Sequence, residues 1–356
     1  MASTDPRRRN LLVMAGIAVV ALLAALLTVW HQSTSTERSE PVAFFPGFAH
    51  HVAHHDATHI HIESKAGGVI DVVFRPQSGG WVMASRGDYP ASFDQVNGTL
   101  VGLAAMQTIE PKTSRPEWLS YVGLDAPPKG AGTLITVTDE HGAVLASLIA
   151  GKTTDIGDPT GATGLFARKP GSNQSWLVRA VAEIRSSPSD WMEKTVIPVD
   201  HAQIQEADMQ AISGPSYSVH RDKPSDADFT LTPIPAGREI SDATAPDNVA
   251  SAIVGFSFDD VKRAMGMDFS QATKLVTKTF EGLSVTVSTI KIGTEYWATV
   301  AASAAPDKPL AVKEANAINA KAAGWAYKLA DFKGAQFTTP LENLLKPKAP
   351  AAKTGP

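Results

Sequence analysis

The sequence predicts an α+β fold, in which an N-terminal transmembrane helix precedes two units of antiparallel sheet with helices on one face. Three observations support this prediction. Residues 11–30 form an uninterrupted apolar run. Beyond residue 57, short segments with period-two or β-branched character alternate with amphipathic stretches. The order strands, proline, helix, hairpin and strand occurs twice, so a duplication could have produced the two units.

The composition is that of a folded protein, and the length of 356 residues suits one large or two medium domains. Hydrophobic residues make up 43% of the chain and charged residues 19%, which excludes disorder throughout. The formal net charge is −4 and the basic residues are scattered, so we expect no nucleic-acid partner. Cysteine is absent from the sequence, which excludes disulfides and a lipid-modified cysteine.

The apolar run at residues 11–30 contains no charge, amide or proline and would span about 30 Å as a helix, the thickness of a bilayer core. Arg7, Arg8 and Arg9 precede it, whereas residues 31–36 contain no lysine or arginine. The positive-inside bias therefore predicts a single-pass protein of a bacterial inner membrane, with residues 1–10 cytoplasmic and the bulk of the chain periplasmic. A cleaved signal peptide is the alternative, but its apolar core is normally about 7–15 residues long.

A first unit is predicted at residues 58–200, after a histidine-rich juxtamembrane spacer at residues 31–57. It begins with a strand meander and continues with an amphipathic helix at about residues 92–106, where Ser92 and Gln95 form a capping box. A hairpin, two further strands and a short helix follow. The predicted strands are 58–64, 69–74, 80–83, 133–138, 144–149, 164–168 and 175–178, and the short helix is 179–184.

A second unit, residues 201–345, repeats this order and ends before a disordered Pro/Ala/Lys tail at residues 346–356. Val249 and Ile253 mark its first helix, and Phe258, Val261 and Met265 continue the helical spacing. The predicted strands are 217–220, 229–233, 274–280, 283–292, 296–301 and 325–329, with a helix at 309–323. A single α+β domain with coincidental similarity between its halves is the alternative.

Several short motifs keep a fixed order within the first unit. They are Trp81, Tyr89-Pro90-Ala91, Gly123-Leu124-Asp125 with Pro127, Gly151, Phe166-Ala167-Arg168 and Trp191. In this order the chain resembles an uncharacterised bacterial domain-of-unknown-function (4340) family of single-pass envelope proteins. The resemblance implies an auxiliary role beside ABC-type transport systems of the gliding-motility kind, and it transfers no catalytic residue. The histidine-rich stretch is not part of the family pattern.

Six of the ten histidines lie within residues 50–61 and are the candidate metal ligands: His50, His51, His54, His55, His59 and His61. Those spaced four apart would share a helix face, whereas His59 and His61 would share a strand face. Imidazoles bind Zn, Cu and Ni, and Asp56 could add an oxygen ligand. The alternative is a solvated spacer that binds metal adventitiously, because no spacing signature such as H-E-x-x-H accompanies these residues.

No catalytic constellation stands out in the sequence. Gly151-Lys152-Thr153 looks like the end of a phosphate-binding loop, but strand-forming residues precede it and no helix follows. Ser288 and Lys291 match the S-x-x-K pair of penicillin-recognising enzymes, yet a predicted strand puts them on opposite faces. We therefore expect no enzymatic activity and no catalytic or cofactor-binding residue.

These observations predict a membrane-anchored extracytoplasmic accessory or scaffold protein of an ABC-type transport system. Its expected partners are the inner membrane and the membrane subunits of a transporter. The alternative is an envelope metal-binding protein that holds Zn, Cu or Ni on the histidines of residues 50–61.

Overall fold

The computed structural model describes residues 42–181 and 183–347, in which 18 strands form two antiparallel sheets. The first sheet contains β1 (Val42–Ala43), β2 (His59–Ser64), β3 (Gly68–Arg75), β4 (Gly80–Met83), β5 (Tyr89–Pro90), β6 (Gln107–Pro111), β7 (Thr133–Thr138), β8 (Val144–Thr154), β9 (Thr163–Arg168) and β10 (Ser175–Ala180). Their order across the sheet is β1-β6-β10-β9-β8-β7-β2-β3-β4-β5.

The second sheet has eight strands. They are β11 (Ile204–Gln210), β12 (Tyr217–His220), β13 (Thr230–Thr232), β14 (Asp260–Arg263), β15 (Thr273–Thr279), β16 (Leu283–Ile292), β17 (Glu295–Ala304) and β18 (Trp325–Leu329). Their order is β13-β12-β11-β15-β16-β17-β18-β14.

Five α-helices lie within the described residues: α1 (Phe48–Ala53), α2 (Phe93–Ala104), α3 (Ala245–Ala250), α4 (Pro309–Ala322) and α5 (Asp331–Phe337). Ser92 caps α2, since its hydroxyl accepts a hydrogen bond from the backbone N–H of Gln95 at 3.3 Å. The Gln95 side chain donates to Thr99 instead of returning to the cap, so the predicted capping box is only half formed. The buried face of α4 is lined by Ala311, Ala315, Ile318 and Ala322.

The strands obey the period-two alternation that the sequence shows. In β2, Ile60 and Ile62 are fully buried, while the intervening His59 and His61 are only half-buried. The same alternation runs through most of β16. Because successive side chains point to opposite faces, each sheet has one face in the core and one outer face that is partly exposed.

The two sheets share one strand order. When β2, β3 and β4 are matched with β11, β12 and β13, then β7 to β10 correspond to β15 to β18, and β6 corresponds to β14. Helices α2 and α3 precede the corresponding strands β6 and β14. The sheets differ in that β1 and β5 extend the edges of the first, and in that α4 separates β17 from β18 in the second.

The sheets meet where the edge strand β5 of the first approaches the edge strand β14 of the second. The ring of Tyr89, from β5, packs edge-on against Trp325 at 5.0 Å and Phe258 at 6.0 Å between centroids. Arg86 Nε donates to Asp260 Oδ1 at 2.6 Å across the same boundary. One continuous core cluster contains residues of both sheets. The two sheets are therefore packed together through an aromatic seam.

The α+β class predicted from the sequence, with helices covering one face of each unit, is wrong. The described chain is mostly antiparallel sheet, and its helices have only six to 14 residues. Residues 258–265 have helical apolar spacing, yet Asp260–Arg263 is a strand because it pairs with β18, which lies far along the chain. Likewise β10 continues to Ala180, into the predicted short helix, because it pairs with β9. Pairing between distant segments overrides local periodicity.

The predicted N-terminal transmembrane helix at residues 11–30 lies outside the described residues. Within residues 42–181 and 183–347, no helix has both the length and the apolar character needed to cross a membrane.

Part of the predicted spacer belongs to the folded core. Phe44, Phe45 and Phe48 are buried and stack edge-on in sequence, with centroid distances of 4.9 and 6.2 Å. Strand β1 pairs with β6, which ties this segment to the first sheet. The histidines that follow are thereby held at fixed positions on the fold.

Candidate functional site

The best-formed polar site is the strand histidine cluster, which consists of His59, His61 and Asp71 on the outer face of the first sheet. His59 and His61 are two residues apart on β2, and the hairpin register places Asp71 of β3 directly opposite His61. His61 Nδ1 lies 2.8 Å and His59 Nε2 3.1 Å from the same oxygen, Asp71 Oδ1. Two imidazoles and a carboxylate thus converge on one point.

The surroundings favour a charged carboxylate in the strand histidine cluster. Burial alone would raise the pKa of the Asp71 carboxyl, but the hydrogen bonds from His61 and His59 outweigh it and lower the pKa below its usual value. The Asp71 backbone N–H donates to Ser85 Oγ at 3.2 Å, which fixes the strand beside β4. The side chains of the cluster are about one-third exposed, so the outer side remains accessible.

The other four histidines lie on or just after α1. His51 Nδ1 is 2.8 Å from Asp56 Oδ2, and with His50 these two residues form the helix histidine cluster. The ring of His54 stacks on His50 at 4.0 Å, and its Nδ1 donates to the His50 carbonyl at 2.9 Å. His55 leaves the helix in a left-handed conformation with φ 58°, so it does not continue the helix face toward His59.

The structure therefore places four of the six predicted ligands in two separate clusters and leaves His54 and His55 out of both. Asp71 was missed by sequence reasoning. The signal that could have found it is the hairpin itself, because the two alternating strands on either side of residues 65–67 fix which residue of β3 faces His61.

We call Glu206, Asp208 and Lys278 of the second sheet the acidic counterpart of this cluster, although Lys278 lies on β15, which corresponds to β7 and not to β3. Glu206 and Asp208 are two residues apart on β11, the strand that corresponds to β2. Lys278 Nζ lies 2.8 Å from Glu206 and 2.9 Å from Asp208. The chain supplies a cation there from its own lysine, and the carboxylates raise the pKa of that ammonium.

A groove runs along the seam between the two sheets, with a volume of ≈ 890 Å³. Its apolar wall is formed by residues of α1, β3, β4 and α2, and its far side by β14, α4 and β18. Phe74 and Trp81 stand edge-on in the wall with centroids 5.8 Å apart, and Phe93 is 67% exposed. We call this the seam groove. It is large enough for a drug-sized ligand, since ligand pockets span roughly 300–1,000 Å³.

An exposed aromatic patch lies on the other side of the first sheet. Trp118 is 49% and Tyr121 74% exposed, and Arg115 covers the Trp118 ring with its guanidinium 4.9 Å from the centroid. Lys112 and Phe166 border the same depression. Exposed aromatic groups beside cationic ones are typical of surfaces that contact other molecules.

The motif residues that carried the family resemblance have structural positions. Arg168 of β9 is buried, and its Nε donates to the Leu124 carbonyl at 2.8 Å. A side chain at Gly151 would collide with the backbone carbonyl of Val122. Trp191 is fully buried and donates to the Arg185 carbonyl at 3.1 Å. These motifs fasten loops onto the first sheet and present no reactive group.

The chain matches the family described as Domain of unknown function (DUF4340) over residues 81–279. The match runs from β4 through β15, so it includes the seam and parts of both sheets, and it begins after the strand histidine cluster. No curated protein and no solved structure matches the chain. Because the family match covers more than half of the 356 residues, the protein belongs to the DUF4340 family.

Proposed function

We propose that this protein binds a divalent transition metal at the strand histidine cluster. The observation that carries the proposal is the convergence of both imidazoles on one carboxylate oxygen. The three ligand atoms lie within 4.8 Å of one another, on rigid paired strands rather than on a loop. Zinc, copper and nickel are the metals that two imidazoles and a carboxylate suit best.

Two of the three distances between ligand atoms are close to those of a tetrahedral zinc site. Ligands about 2.0–2.1 Å from zinc lie about 3.3 Å from one another in a tetrahedron. The two nitrogen–oxygen distances, 2.8 and 3.1 Å, need to open by only about half an ångström. A metal ion binds an imidazole nitrogen that carries no proton, so protons compete with the ion and its affinity falls as the pH falls.

The test is calorimetric titration of the full-length protein with ZnCl₂. We expect one equivalent per chain, and a loss of affinity greater than roughly tenfold in His59→Ala, His61→Ala and Asp71→Ala, since even outer-shell changes cost that much in metal sites. His51→Ala is the matched control, because it removes a histidine–aspartate contact of the same 2.8 Å length from the helix histidine cluster. Equal losses in the control and in the strand variants, or no uptake by the unaltered protein, would reject the proposal.

The acidic counterpart suggests what a negative result would mean. There, an equivalent pair of outer-face residues is satisfied by an ion pair without any metal. If zinc does not bind, the strand histidine cluster is the same device with imidazole donors in place of lysine. It would then stabilise the hairpin only.

A second proposal is the accessory role, in which this protein acts without enzymatic activity at the bacterial inner membrane beside an ABC-type transporter. The observation that favours it is the exposed patch of Trp118 and Tyr121, since aromatic residues of these types are enriched at protein–protein interfaces. We expect transporter membrane and ATPase subunits to co-purify with the full-length chain and to be depleted by Trp118→Ala with Tyr121→Ala. Phe332→Ser is the control, since Phe332 is a similarly exposed aromatic residue, on α5. Recovery of the same subunits with the patch variant would refute this use of the patch.

A further inference from the structure

The seam groove contains features that a packing defect between two sheets would not explain. Within residues 42–181 and 183–347, two non-glycine residues have positive φ, His55 at 58° and Asp88 at 62°. Both line the seam groove. Left-handed conformations are disfavoured for side chains and concentrate at ligand clamps and functional sites. Histidine and aspartate adopt this region more readily than most residues, and here two such positions lie on one cavity.

The groove also contains two opposite charges, both on exposed side chains, that form no ion pair within the described residues. The Arg263 guanidinium stacks on Trp325 with its carbon 3.8 Å from the ring centroid, and its Nη2 donates to the Gly87 carbonyl at 2.7 Å. No carboxylate of the described residues lies within 4.0 Å of it, although Asp88 lines the same groove. Asp88 likewise forms no ion pair within that part of the chain. A stacked, oriented guanidinium is suited to a phosphate or carboxylate.

We propose that the seam groove binds a single-chain amphiphile with a zwitterionic head group. The apolar chain lies against Phe74, Trp81 and Phe93, the anionic part of the head pairs with Arg263, and the ammonium pairs with Asp88. Charge complementarity selects this ligand over others. A purely anionic head would be repelled by Asp88, and a cationic head by Arg263. The site is independent of the strand histidine cluster.

The experiment is photolabelling of the full-length protein in a nonionic alkyl-glucoside detergent, whose uncharged head cannot satisfy either residue. The probe is a lysophosphatidylethanolamine that carries a photoreactive group in its acyl chain. We expect the labelled peptides to include residues 74–100 and 320–325. Three unlabelled competitors identify the head group that the site prefers. Lysophosphatidylethanolamine carries a phosphate–ammonium head, an apolar dipeptide a carboxylate–ammonium pair, and a fatty carboxylate a purely anionic head.

Two variants distinguish loss of the binding site from a general loss of folding, because they should change the labelling and its head-group preference in different directions. Arg263→Gln should lower labelling roughly tenfold, the loss of one charge-assisted hydrogen bond. Asp88→Asn should weaken the zwitterionic probe and strengthen the fatty carboxylate, and asparagine tolerates the left-handed backbone that residue 88 adopts. Lys262→Gln is the matched control, because Lys262 neighbours Arg263 on β14 and stacks on Trp297 at the same 3.8 Å distance.

Labelling of the groove peptides that falls in Arg263→Gln but not in Lys262→Gln, with reversed head-group preference in Asp88→Asn, supports the site. Labelling confined to residues 11–30 overturns it. So does equal competition by zwitterionic and purely anionic amphiphiles in the unaltered protein, or equal labelling in Arg263→Gln and Lys262→Gln.

Discussion

Replacement of Tyr89 by alanine tests whether the two sheets unfold as one cooperative unit. Tyr89 belongs to the first sheet and is 2% exposed, yet its ring contacts are with Phe258, Trp325 and Tyr327, which lie on the side of the second sheet. Its hydroxyl donates to the Glu193 carbonyl at 2.9 Å, and burial raises its pKa.

The expected magnitude follows from these contacts. Truncation of a large buried aromatic residue to alanine costs about 3–5 kcal/mol. Loss of edge-to-face pairs contributes about 0.5–1.5 kcal/mol within that range. We therefore expect Tyr89→Ala to lower the free energy of unfolding by about 4 kcal/mol. Tyr89→Phe keeps the ring and loses one hydrogen bond, so we expect about 1 kcal/mol.

The measurement is hydrogen exchange of the full-length protein at increasing urea concentration, read by mass spectrometry on peptides from each sheet. If the seam couples the sheets, Tyr89→Ala lowers the opening free energy of peptides from β3 and from β17 by the same amount. Tyr121→Ala is the control and should change neither, because Tyr121 is 74% exposed. A drop confined to the first sheet would refute the view that the aromatic seam makes the two sheets one folding unit.

Three further predictions concern stability. Because the pKa of Asp71 is lowered in the fold, this carboxyl binds a proton more tightly in the unfolded chain than in the folded one. Ionised Asp71 therefore stabilises the fold above pH about 4, and this stabilisation is lost as the pH falls further. Asp71→Asn should flatten the dependence of the urea midpoint on pH in that acidic range. Gly151→Ala should lower the free energy of unfolding by about 1–3 kcal/mol, because the new side chain would clash with the Val122 carbonyl. Gly98→Ala, in open space on α2, should raise the free energy of unfolding by up to about 1 kcal/mol. Thermal melting compares the two variants. Thr289→Val should raise the free energy of unfolding by about 1 kcal/mol, because the buried Thr289 hydroxyl has no hydrogen-bond partner within the described residues. Urea unfolding measures this as a higher midpoint, and an unchanged midpoint would imply a buried water there.

The sequence allowed most individual strands and the two longer helices to be placed, because their signals are local. Ser92 caps α2, and the alternation of Ile60 and Ile62 marks β2. Two kinds of feature were not predicted from the sequence. Strand β14 depends on pairing with β18, and Asp71 depends on hairpin register, so neither can be read from a window of neighbouring residues. The seam groove escaped because its walls come from segments as distant as α1 and β18.

The shared strand order of the two sheets gives the strand histidine cluster a physical context. On β11, which corresponds to β2, the second sheet carries Glu206 and Asp208 with Lys278 of the neighbouring β15 between them, whereas β2 carries two imidazoles that face one carboxylate of β3. The acidic counterpart holds its cation on a lysine of the chain itself, whereas the metal ion that we propose for the strand histidine cluster would come from solution. The two sheets therefore share a strand order, and these two clusters differ in the chemistry that the sheets present on their outer faces.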